Sequence, residues 1–250
     1  MALYLSVLLI LCALISYSCA YRPVVLVHGI MTGSGSMEMI SHRIQEKHPG
    51  TIVYNVNRFE GWSSLETMWH QVLEIGLDVA NISSKYPDGI NLIAGFLHVV
   101  FPGLVRETAY EFLYSRVGQH TSVGNYWNDP YHQTLYESYS VYLPYINNHL
   151  SSAKSDDFKS NLLRVKRLVL IGGPDDNVIT PWQSSQFGYY DANETIVELK
   201  EQAIYTEDRI GLRTLDESGR LHVVTVPGVN HFSWHMNVSV VDEYLLPFLD

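Results

Sequence analysis

Five short runs of apolar residues recur along the chain and are typical of buried β-strands. Most runs are continuous rather than alternating, as expected of strands in a sheet that is covered on both faces. They span residues 24–27, 51–56, 90–93, 168–171 and 222–226. Helical patterns separate several of these runs. The order of elements therefore predicts an α/β protein with a doubly wound, mainly parallel sheet.

The helical patterns are defined by apolar residues three and four positions apart. The spacing predicts a helix over 65–80, with Ser63 and Glu66 forming a capping box at its start. A second helix is expected over 37–44. A third is expected over 240–248, where Pro247 disturbs it.

Residues 94–165 depart from the alternation of strands and helices. They are rich in aromatic side chains, and their pattern predicts helices without a strand. One interpretation is a helical insertion over the carboxyl edge of the sheet, where binding surfaces usually lie. The other is ordinary helical packing in the core. Since no repeat or linker divides the chain, residues 21–250 are predicted to form a single domain.

The first 20 residues form an uncharged, apolar segment that ends in Ser18, Cys19 and Ala20. Small residues after an apolar run are typical of a cleaved secretory signal peptide, although no Lys or Arg precedes the run. A retained signal anchor is the alternative, since about 20 apolar residues can just cross a bilayer. No later stretch reaches the roughly 18 apolar residues of a spanning helix, so we expect no stable membrane span after cleavage.

Composition and charge exclude several classes of protein. Hydrophobic residues make up 46% of the chain, too many for an intrinsically disordered protein. The formal net charge of −10 argues against nucleic acid as a partner. Both cysteines, Cys12 and Cys19, lie in the signal segment, which excludes disulfides, thiolate nucleophiles and cysteine–zinc sites from the mature chain. No metal or organic cofactor is implied. Three sites fit the N-glycosylation pattern, at Asn81, Asn193 and Asn237.

Candidate catalytic residues follow three of the predicted strands. The first strand runs into His28-Gly29, a tight turn after which the Ile30 backbone N–H can face a developing oxyanion. The fourth leads to Asp176, and the fifth leads to His231. An acid in a loop after a late strand, followed by a histidine, matches the second half of an α/β-hydrolase.

Two rival readings concern the same parts of the chain. His231 and His235 are four residues apart and could chelate a metal from a helix, although no third ligand cluster is evident. Ser34 and Ser36 lie beside the oxyanion turn and could supply a substitute nucleophile, although turn hydrogen bonding is their ordinary role.

Three sequence blocks, at residues 21–29, 125–130 and 172–195, closely resemble the palmitoyl-protein thioesterase family. The resemblance covers nearly all of residues 21–93 and 101–250. It implies a soluble lysosomal α/β-hydrolase that cleaves fatty-acyl thioesters, especially acyl-CoA, with a Ser, Asp and His triad. Carried over by position, the triad acid is Asp176 and the base is His231, whereas Asp175 is a turn residue.

The triad serine is absent from the expected place. The family's third strand should run into a nucleophile elbow of the type Gly-x-Ser-x-Gly, followed by a helix and another central strand. Here residues 90–93 run directly into Ala94-Gly95, and no serine of the chain has glycine both two positions before and two after it. An elbow, its helix and a parallel strand need about 30 residues, so we interpret the gap as a missing segment rather than a substitution.

The missing segment has three possible origins. It could reflect a splice form, a non-catalytic protein that binds lipid or a partner, or a skipped exon in the gene assembly. We favour the skipped exon, because the motifs on either side of the gap still match those of the family. Without the segment we expect exposed apolar surface, open strand edges and reduced stability.

Overall fold

The computed structural model describes residues 21–95 and 108–249, and all five predicted strands lie within these ranges. Residues 1–20, which are predicted to be a signal peptide, lie outside the described residues, as do residues 96–107 and 250. Apolar runs locate the strands well because parallel strands need continuous apolar sequence. The strands are β1 (Val24–Val27), β2 (Val53–Val56), β3 (Asn91–Ala94), β4 (Leu168–Gly172), β5 (Tyr189–Tyr190), β6 (Ile196–Val197) and β7 (Leu221–Thr225).

The strands form two separate parallel pieces and one small hairpin. Three strands pair in parallel in the order β2-β1-β3. β4 and β7 form a second parallel pair, and β5 and β6 form an antiparallel hairpin. Within the described ranges no strand joins β3 to β4. The parallel pairing agrees with the prediction, but the described sheet is divided between β3 and β4.

Ten α-helical segments lie in the described ranges, together with several 3-10 turns and one π turn, Val241–Leu245. Two helices connect the first three strands, and they match the two helices predicted there. The helices are α1 (Glu38–Lys47), α2 (Met68–Ser83), α3 (Ala109–Leu113), α4 (Ser122–Tyr126), α5 (Gln133–Tyr139), α6 (Leu143–Ile146), α7 (Ser155–Leu162), α8 (Ala203–Thr206), α9 (Leu212–Glu217) and α10 (Val238–Val240). The C-terminal helical prediction is confirmed as α10, the π turn and a 3-10 turn, Leu246–Phe248.

The predicted capping box is wrong. Thr67 is the N-cap of α2, and no side chain caps the helix there. The hydroxyl of Ser63 instead donates to the Glu60 carbonyl oxygen at 2.7 Å, within the 3-10 turn Gly61–Leu65. Glu66 is held by His70, whose Nδ1 lies 2.7 Å from its carboxylate. Ser hydroxyls satisfy nearby carbonyls in turns as readily as helix amides, so the pattern misplaced the helix start by one turn.

Apolar clusters cover both pieces of sheet. One packs α1 and the C-terminal segment on β1, through buried residues that include Leu26, Ile44 and Val241. A second packs α9 against β4 and β7, around Leu212 and Leu215. The C-terminal segment also packs Val240 near β4 and β7, so it contacts both pieces of sheet.

The expectation that both sheet faces are covered holds for β1 but not for β3. Val24, Val25 and Leu26 are buried, whereas the Leu92 side chain on β3 is 54% exposed. Among the described residues β3 pairs only with β1, and its residues line a cavity. An exposed apolar side chain on an edge strand favours association unless another segment covers it.

The aromatic-rich region contains five helices, α3 to α7, and no strand within its described part, residues 108–165. Tyr136 and Tyr142 are buried, whereas Tyr131 and Tyr139 are more than half exposed. No helix in the described ranges is long and apolar enough to cross a membrane.

Candidate active site

The ends of β4 and β7 lie side by side and are joined by a backbone hydrogen bond. The Val226 amide donates to the Gly172 carbonyl oxygen at 2.9 Å. A Cβ placed on Gly173 would lie 1.9 Å from the carbonyl oxygen of Val226, which no side chain could tolerate. The absence of a side chain at Gly173 thus brings the loops after the two strands side by side.

A second contact ties these two loops to each other. The backbone amide of Gly228, in the loop after β7, donates to the Asp175 carboxylate at 2.6 Å. Gly228 has φ of +77°, a conformation that favours glycine. Asp175 is therefore a structural residue that joins the loop of the candidate acid to the loop of the candidate base.

Asp176 collects four N–H donors on one carboxylate. The amides of Val178 and Ile179 donate to Oδ1 at 3.1 and 2.9 Å. On the other oxygen, Oδ2, His231 Nδ1 lies at 2.8 Å and Trp234 Nε1 at 3.1 Å. Burial works to raise the pKa of Asp176, but the Ile179 amide and the His231 ring outweigh it and hold the pKa below its usual value. The carboxylate is thus kept ionised in a largely buried position.

The His231 ring is oriented by this carboxylate. The side chain is 1% exposed, and its Nδ1 faces both Asp176 oxygens at 3.0 and 2.8 Å. Because a carboxylate accepts hydrogen bonds, it fixes the tautomer with the proton on Nδ1 and the lone pair on Nε2. Nε2 is buried and has no hydrogen-bond partner among the described residues. The Nδ1 side of the ring therefore has the geometry of a histidine that is oriented by an acid.

The turn after β1 carries the amide of Ile30, the candidate oxyanion donor. Met31 has φ of +57°, rare for a residue with a side chain, and its amide donates to Ser64 Oγ at 2.7 Å. The preceding amide, that of Ile30, makes no hydrogen bond to another described residue. The His28 ring is engaged by the carbonyl oxygens of Gly29 and Arg58, both at 2.9 Å. His28 therefore holds the turn, while the Ile30 amide stays available.

Ile30, Asp176 and His231 line one cavity of about 3370 Å³. β3 and β4 both contribute to its wall, as do the apolar residues Ile75 and Val79 of α2. Typical small-molecule pockets are about 300 to 1,000 Å³, so this cavity is several times larger than a ligand requires. It lies between the two pieces of sheet, where a further strand would be needed to join them.

Aromatic side chains from residues 108–165 form another part of this wall. Tyr126, Trp127, Tyr136 and Tyr142 all line the cavity. Burial raises the pKa of Tyr142 to about 12 and that of Tyr126 higher still, so both phenols stay neutral. The aromatic-rich region thus borders the candidate site, and part of it is buried in the core.

The rival nucleophiles and the metal chelate find little support in the described residues. Ser34 Oγ donates to the Glu60 carboxylate at 2.5 Å, and Ser36 Oγ donates to the Gly33 carbonyl oxygen at 2.7 Å. Both serines serve the turn. Within residues 21–95 and 108–249, no group of three or more His, Cys, Asp or Glu side chains is arranged to hold a metal ion. Burial lowers the pKa of His235, and the positive charge that His231 carries when it is protonated lowers it further.

The three glycosylation candidates lie at accessible positions. Asn81 is exposed in the last turn of α2, and Asn193 is exposed in the turn between β5 and β6. Asn237 is the N-cap of α10, where its Oδ1 accepts the Ser239 amide at 3.0 Å. A glycan would be carried on Nδ2, so that cap is compatible with modification.

Sequence reasoning missed Trp234, which donates to the acid from three residues beyond the base. A tryptophan near a histidine has no spacing rule that assigns it to a carboxylate. Sequence reasoning did identify Asp175 as a turn residue, but not its contact with Gly228.

Comparison with known proteins places the chain in a family. A sequence model of the palmitoyl protein thioesterase family matches in two segments, residues 23–97 and 96–231. The lysosomal thioesterase PPT2 homolog of Drosophila melanogaster is 43% identical over 284 residues, covering 99% of each chain. Human lysosomal thioesterase PPT2 is 36% identical over 279 residues, covering 97% of this chain and 92% of the relative. This chain therefore belongs to the palmitoyl protein thioesterase family, which implies an α/β-hydrolase fold and thioester hydrolysis as the family activity.

Proposed function

We propose that this chain carries the acid–base half of a fatty-acyl thioester hydrolase whose nucleophilic serine belongs to a segment missing after Ile93. In this proposal His231 is the general base and then the general acid, Asp176 orients its ring, and the Ile30 amide stabilises the oxyanion. The observation that carries the proposal is the Asp176–His231 pair, in which Nδ1 lies 2.8 Å from the carboxylate and the buried Nε2 has no hydrogen-bond partner among the described residues. The substrate class is a palmitoyl-CoA or palmitoyl-protein thioester.

The alignments support a missing segment. The two stretches that match the family meet at residues 96–97, directly beyond β3. The Drosophila alignment has 284 positions and covers 99% of this 250-residue chain, which is about 248 residues, so about 36 positions have no residue here. That length suits an elbow, a helix and one parallel strand, which together need about 30 residues. The division of the sheet between β3 and β4 supports the same reading.

In the completed protein the reaction would proceed in two steps. The serine oxygen attacks the thioester carbonyl while His231 Nε2 takes the hydroxyl proton, and Nε2 then gives that proton to the departing thiolate. Water next attacks the acyl-serine by the same proton route and releases the fatty acid. Two amides would hold the oxyanion, that of Ile30 and that of the residue after the serine.

The test is to restore the segment. The corresponding stretch of a family member is inserted after Ile93, and hydrolysis of palmitoyl-CoA is measured. The proposal expects activity that is lost on replacing the inserted serine with Ala and on His231→Ala. Activity that returns but survives His231→Ala would show the base to be misassigned.

The second candidate function is a catalytically inactive variant that binds lipid or a partner through the aromatic wall. The observation that favours it is the lack of the serine in a chain that keeps its family's other motifs. Sequencing the natural transcript across the codons for Ile93 and Ala94 separates the two. A serine elbow encoded there supports the hydrolase, and its consistent absence supports the inactive variant.

The compartment proposed is the lumen of the secretory pathway and the lysosome. The Drosophila and human relatives are named lysosomal thioesterases, and the signal-like first 20 residues and glycosylation candidates agree with that route. Expression in a secreting eukaryotic host should give a chain that begins at Tyr21. Its gel mobility should change stepwise in Asn81→Gln, Asn193→Gln and Asn237→Gln, and a single unmodified species would contradict the assignment.

A further inference from the structure

We infer that His28 is a positioning residue of the oxyanion site, whose doubly protonated ring holds the peptide group that carries the Ile30 N–H. The inference rests on the role proposed above for the Ile30 amide, and it adds a dependence on pH. It concerns the turn after β1 and requires no serine in this chain. His28 acts through the backbone and not on the substrate itself.

Both ring nitrogens of His28 face hydrogen-bond acceptors. Nδ1 lies 2.9 Å from the carbonyl oxygen of Gly29, and Nε2 lies 2.9 Å from the carbonyl oxygen of Arg58. A carbonyl oxygen only accepts hydrogen bonds, and a neutral imidazole carries a single N–H. In either neutral tautomer a ring lone pair would face a carbonyl lone pair, in a side chain that is 8% exposed. Only the doubly protonated ring can donate to both oxygens.

An anionic side chain, Glu60, lies near the ring in the loop after β2. Hydrogen bonds from the hydroxyl and the amide of Ser34 hold the pKa of Glu60 below its usual value, although partial burial opposes them. The positive charge of the protonated His28 ring lowers this pKa further. Glu60 therefore stays ionised and provides a counter-charge that interacts with the ring.

The other charged groups of the surrounding elements are already paired. The Arg58 guanidinium pairs with Glu74 and Asp78 of α2. Asp176 and His231 line the same cavity as the ring, and their side chains are bonded to each other at 2.8 Å. A change in the charge of the ring is therefore expected to act on the turn after β1 rather than on these pairs.

The contact with Gly29 fixes the direction of the Ile30 N–H. The Gly29 carbonyl and the Ile30 N–H belong to one planar, trans peptide group, in which they point in opposite directions. The Gly29 oxygen faces His28 Nδ1 at 2.9 Å and accepts from Thr32 Oγ1 at 2.8 Å. Because two donors hold this oxygen, the peptide group is held against rotation. A cationic donor on the oxygen also polarises the peptide group and strengthens its N–H as a donor.

The charge of the ring therefore governs the quality of the oxyanion donor. In acid, where imidazoles are ordinarily protonated, both ring contacts form and the Ile30 N–H is fixed. Loss of one ring proton removes one contact, so that the turn loses either a bond to the Gly29 oxygen or its anchor at the Arg58 carbonyl. The Ile30 amide is thus expected to stabilise an oxyanion better in acid than at neutral pH.

The experiment follows the turn by NMR in the full chain, expressed in a secreting host with ¹³C and ¹⁵N labels. The pH is raised from about 5, below the ordinary pKa of histidine, until the ring loses a proton. The signals recorded are the ring N–H protons of His28, the Gly29 carbonyl carbon and the Ile30 amide. The variants are His28→Gln, Thr32→Val and His120→Gln. His120 supplies the matched control, because it is exposed and lies outside the cavity wall.

We expect two ring N–H protons on His28 in acid. The Gly29 and Ile30 signals should shift along the same titration curve as the ring. That shift should disappear in His28→Gln, and it should persist in Thr32→Val and His120→Gln. If His28→Gln does not fold, the proton count and the shared curve in the parent chain and in Thr32→Val decide the outcome.

A kinetic measurement uses the segment-restored protein, in which kcat and KM for palmitoyl-CoA are determined against pH. There His28→Gln should lower kcat by about 10- to 100-fold, as misplacement of an oxyanion donor does, while KM stays nearly constant. The decline of kcat with rising pH that the ring causes should also disappear. A merely structural role would not remove that decline.

Several results would overturn the inference. They are a His28 ring with one N–H at every pH, an Ile30 amide that does not respond to the titration of the ring, a response that persists in a folded His28→Gln, or a chain with no folded His28 signal. A restored protein in which His28→Gln keeps the parent's kcat and pH profile would overturn it as well. An inactive restored parent beside the expected NMR titration would refute only the proposed serine mechanism.

Discussion

Replacing Asp176 with Asn should destabilise the fold as well as disorient the ring of His231, the candidate base. Asp176 Oδ1 accepts the Val178 and Ile179 amides, and an Asn oxygen can keep both bonds. Oδ2 faces His231 Nδ1 and Trp234 Nε1, and an Asn amino group there would meet two donors. The substitution therefore removes two charge-assisted bonds in a site where the carboxylate is 9% exposed.

The expected loss in the free energy of unfolding follows from these two hydrogen bonds. Hydrogen bonds to a charged group contribute about 1.5 to 3 kcal/mol each, which gives about 3 to 6 kcal/mol for both. His231 can recover part of this by moving its proton to Nε2 and accepting at Nδ1, which spoils it as a base. The remaining loss expected for Asp176→Asn is about 3 kcal/mol in the free energy of unfolding.

The assay is urea unfolding of the mature chain, with Asp175→Asn as the matched control. Asp175 is exposed and accepts one amide, that of Gly228, which an Asn oxygen can still accept. The control should lose less than about 1 kcal/mol. Equal losses for the two variants would refute the view that Asp176 is the centre of the site.

The dependence of stability on pH provides a second check of the role of Asp176. The pKa of Asp176 is lower in the folded protein than its ordinary value, so its stabilising contribution is complete above about pH 4, the unfolded value. It is lost as pH falls through the folded pKa. The stability gap between the parent chain and Asp176→Asn should therefore shrink below about pH 4, and a gap that persists unchanged would refute the carboxylate's role.

The remaining predictions concern the divided sheet and the close approach of its strand ends. Leu26→Ala, at a fully buried position of β1, should lower the free energy of unfolding by about 2 to 5 kcal/mol. Leu92→Ala removes a side chain of β3 that is 54% exposed, and it should lower the free energy of unfolding by less than about 1 kcal/mol. Comparable losses in urea unfolding would mean that the Leu92 side chain is covered. Gly173→Ala should lower the free energy of unfolding by about 2 kcal/mol or more, because its Cβ would collide with the Val226 carbonyl oxygen. Gly35→Ala, with no atom within 4 Å of the added carbon, is the control and should be nearly neutral in thermal unfolding.

Local patterns predicted the elements better than their ends. Continuous apolar runs located β1, β2, β3, β4 and β7 to within two residues, because buried parallel strands require such runs. The start of α2 was misplaced, since the Ser63 hydroxyl bonds the Glu60 carbonyl oxygen rather than a helix amide. Backbone geometry decides which nearby carbonyl or amide group the serine hydroxyl bonds, and a rule based on residue spacing does not contain that geometry.

By itself the sequence predicted the class of fold, the order of the candidate acid and base, and the lack of a serine in a Gly-x-Ser-x-Gly pattern, because each depends on residue type and local order. Only the tertiary structure decided that Asp176 and His231 meet at 2.8 Å, that Trp234 also donates to Asp176, and that the described sheet separates between β3 and β4. These contacts join residues that are distant along the chain, and they depend on how closely two strand ends can approach. The lack of a side chain at Gly173 permits that approach, and with it the position of His231.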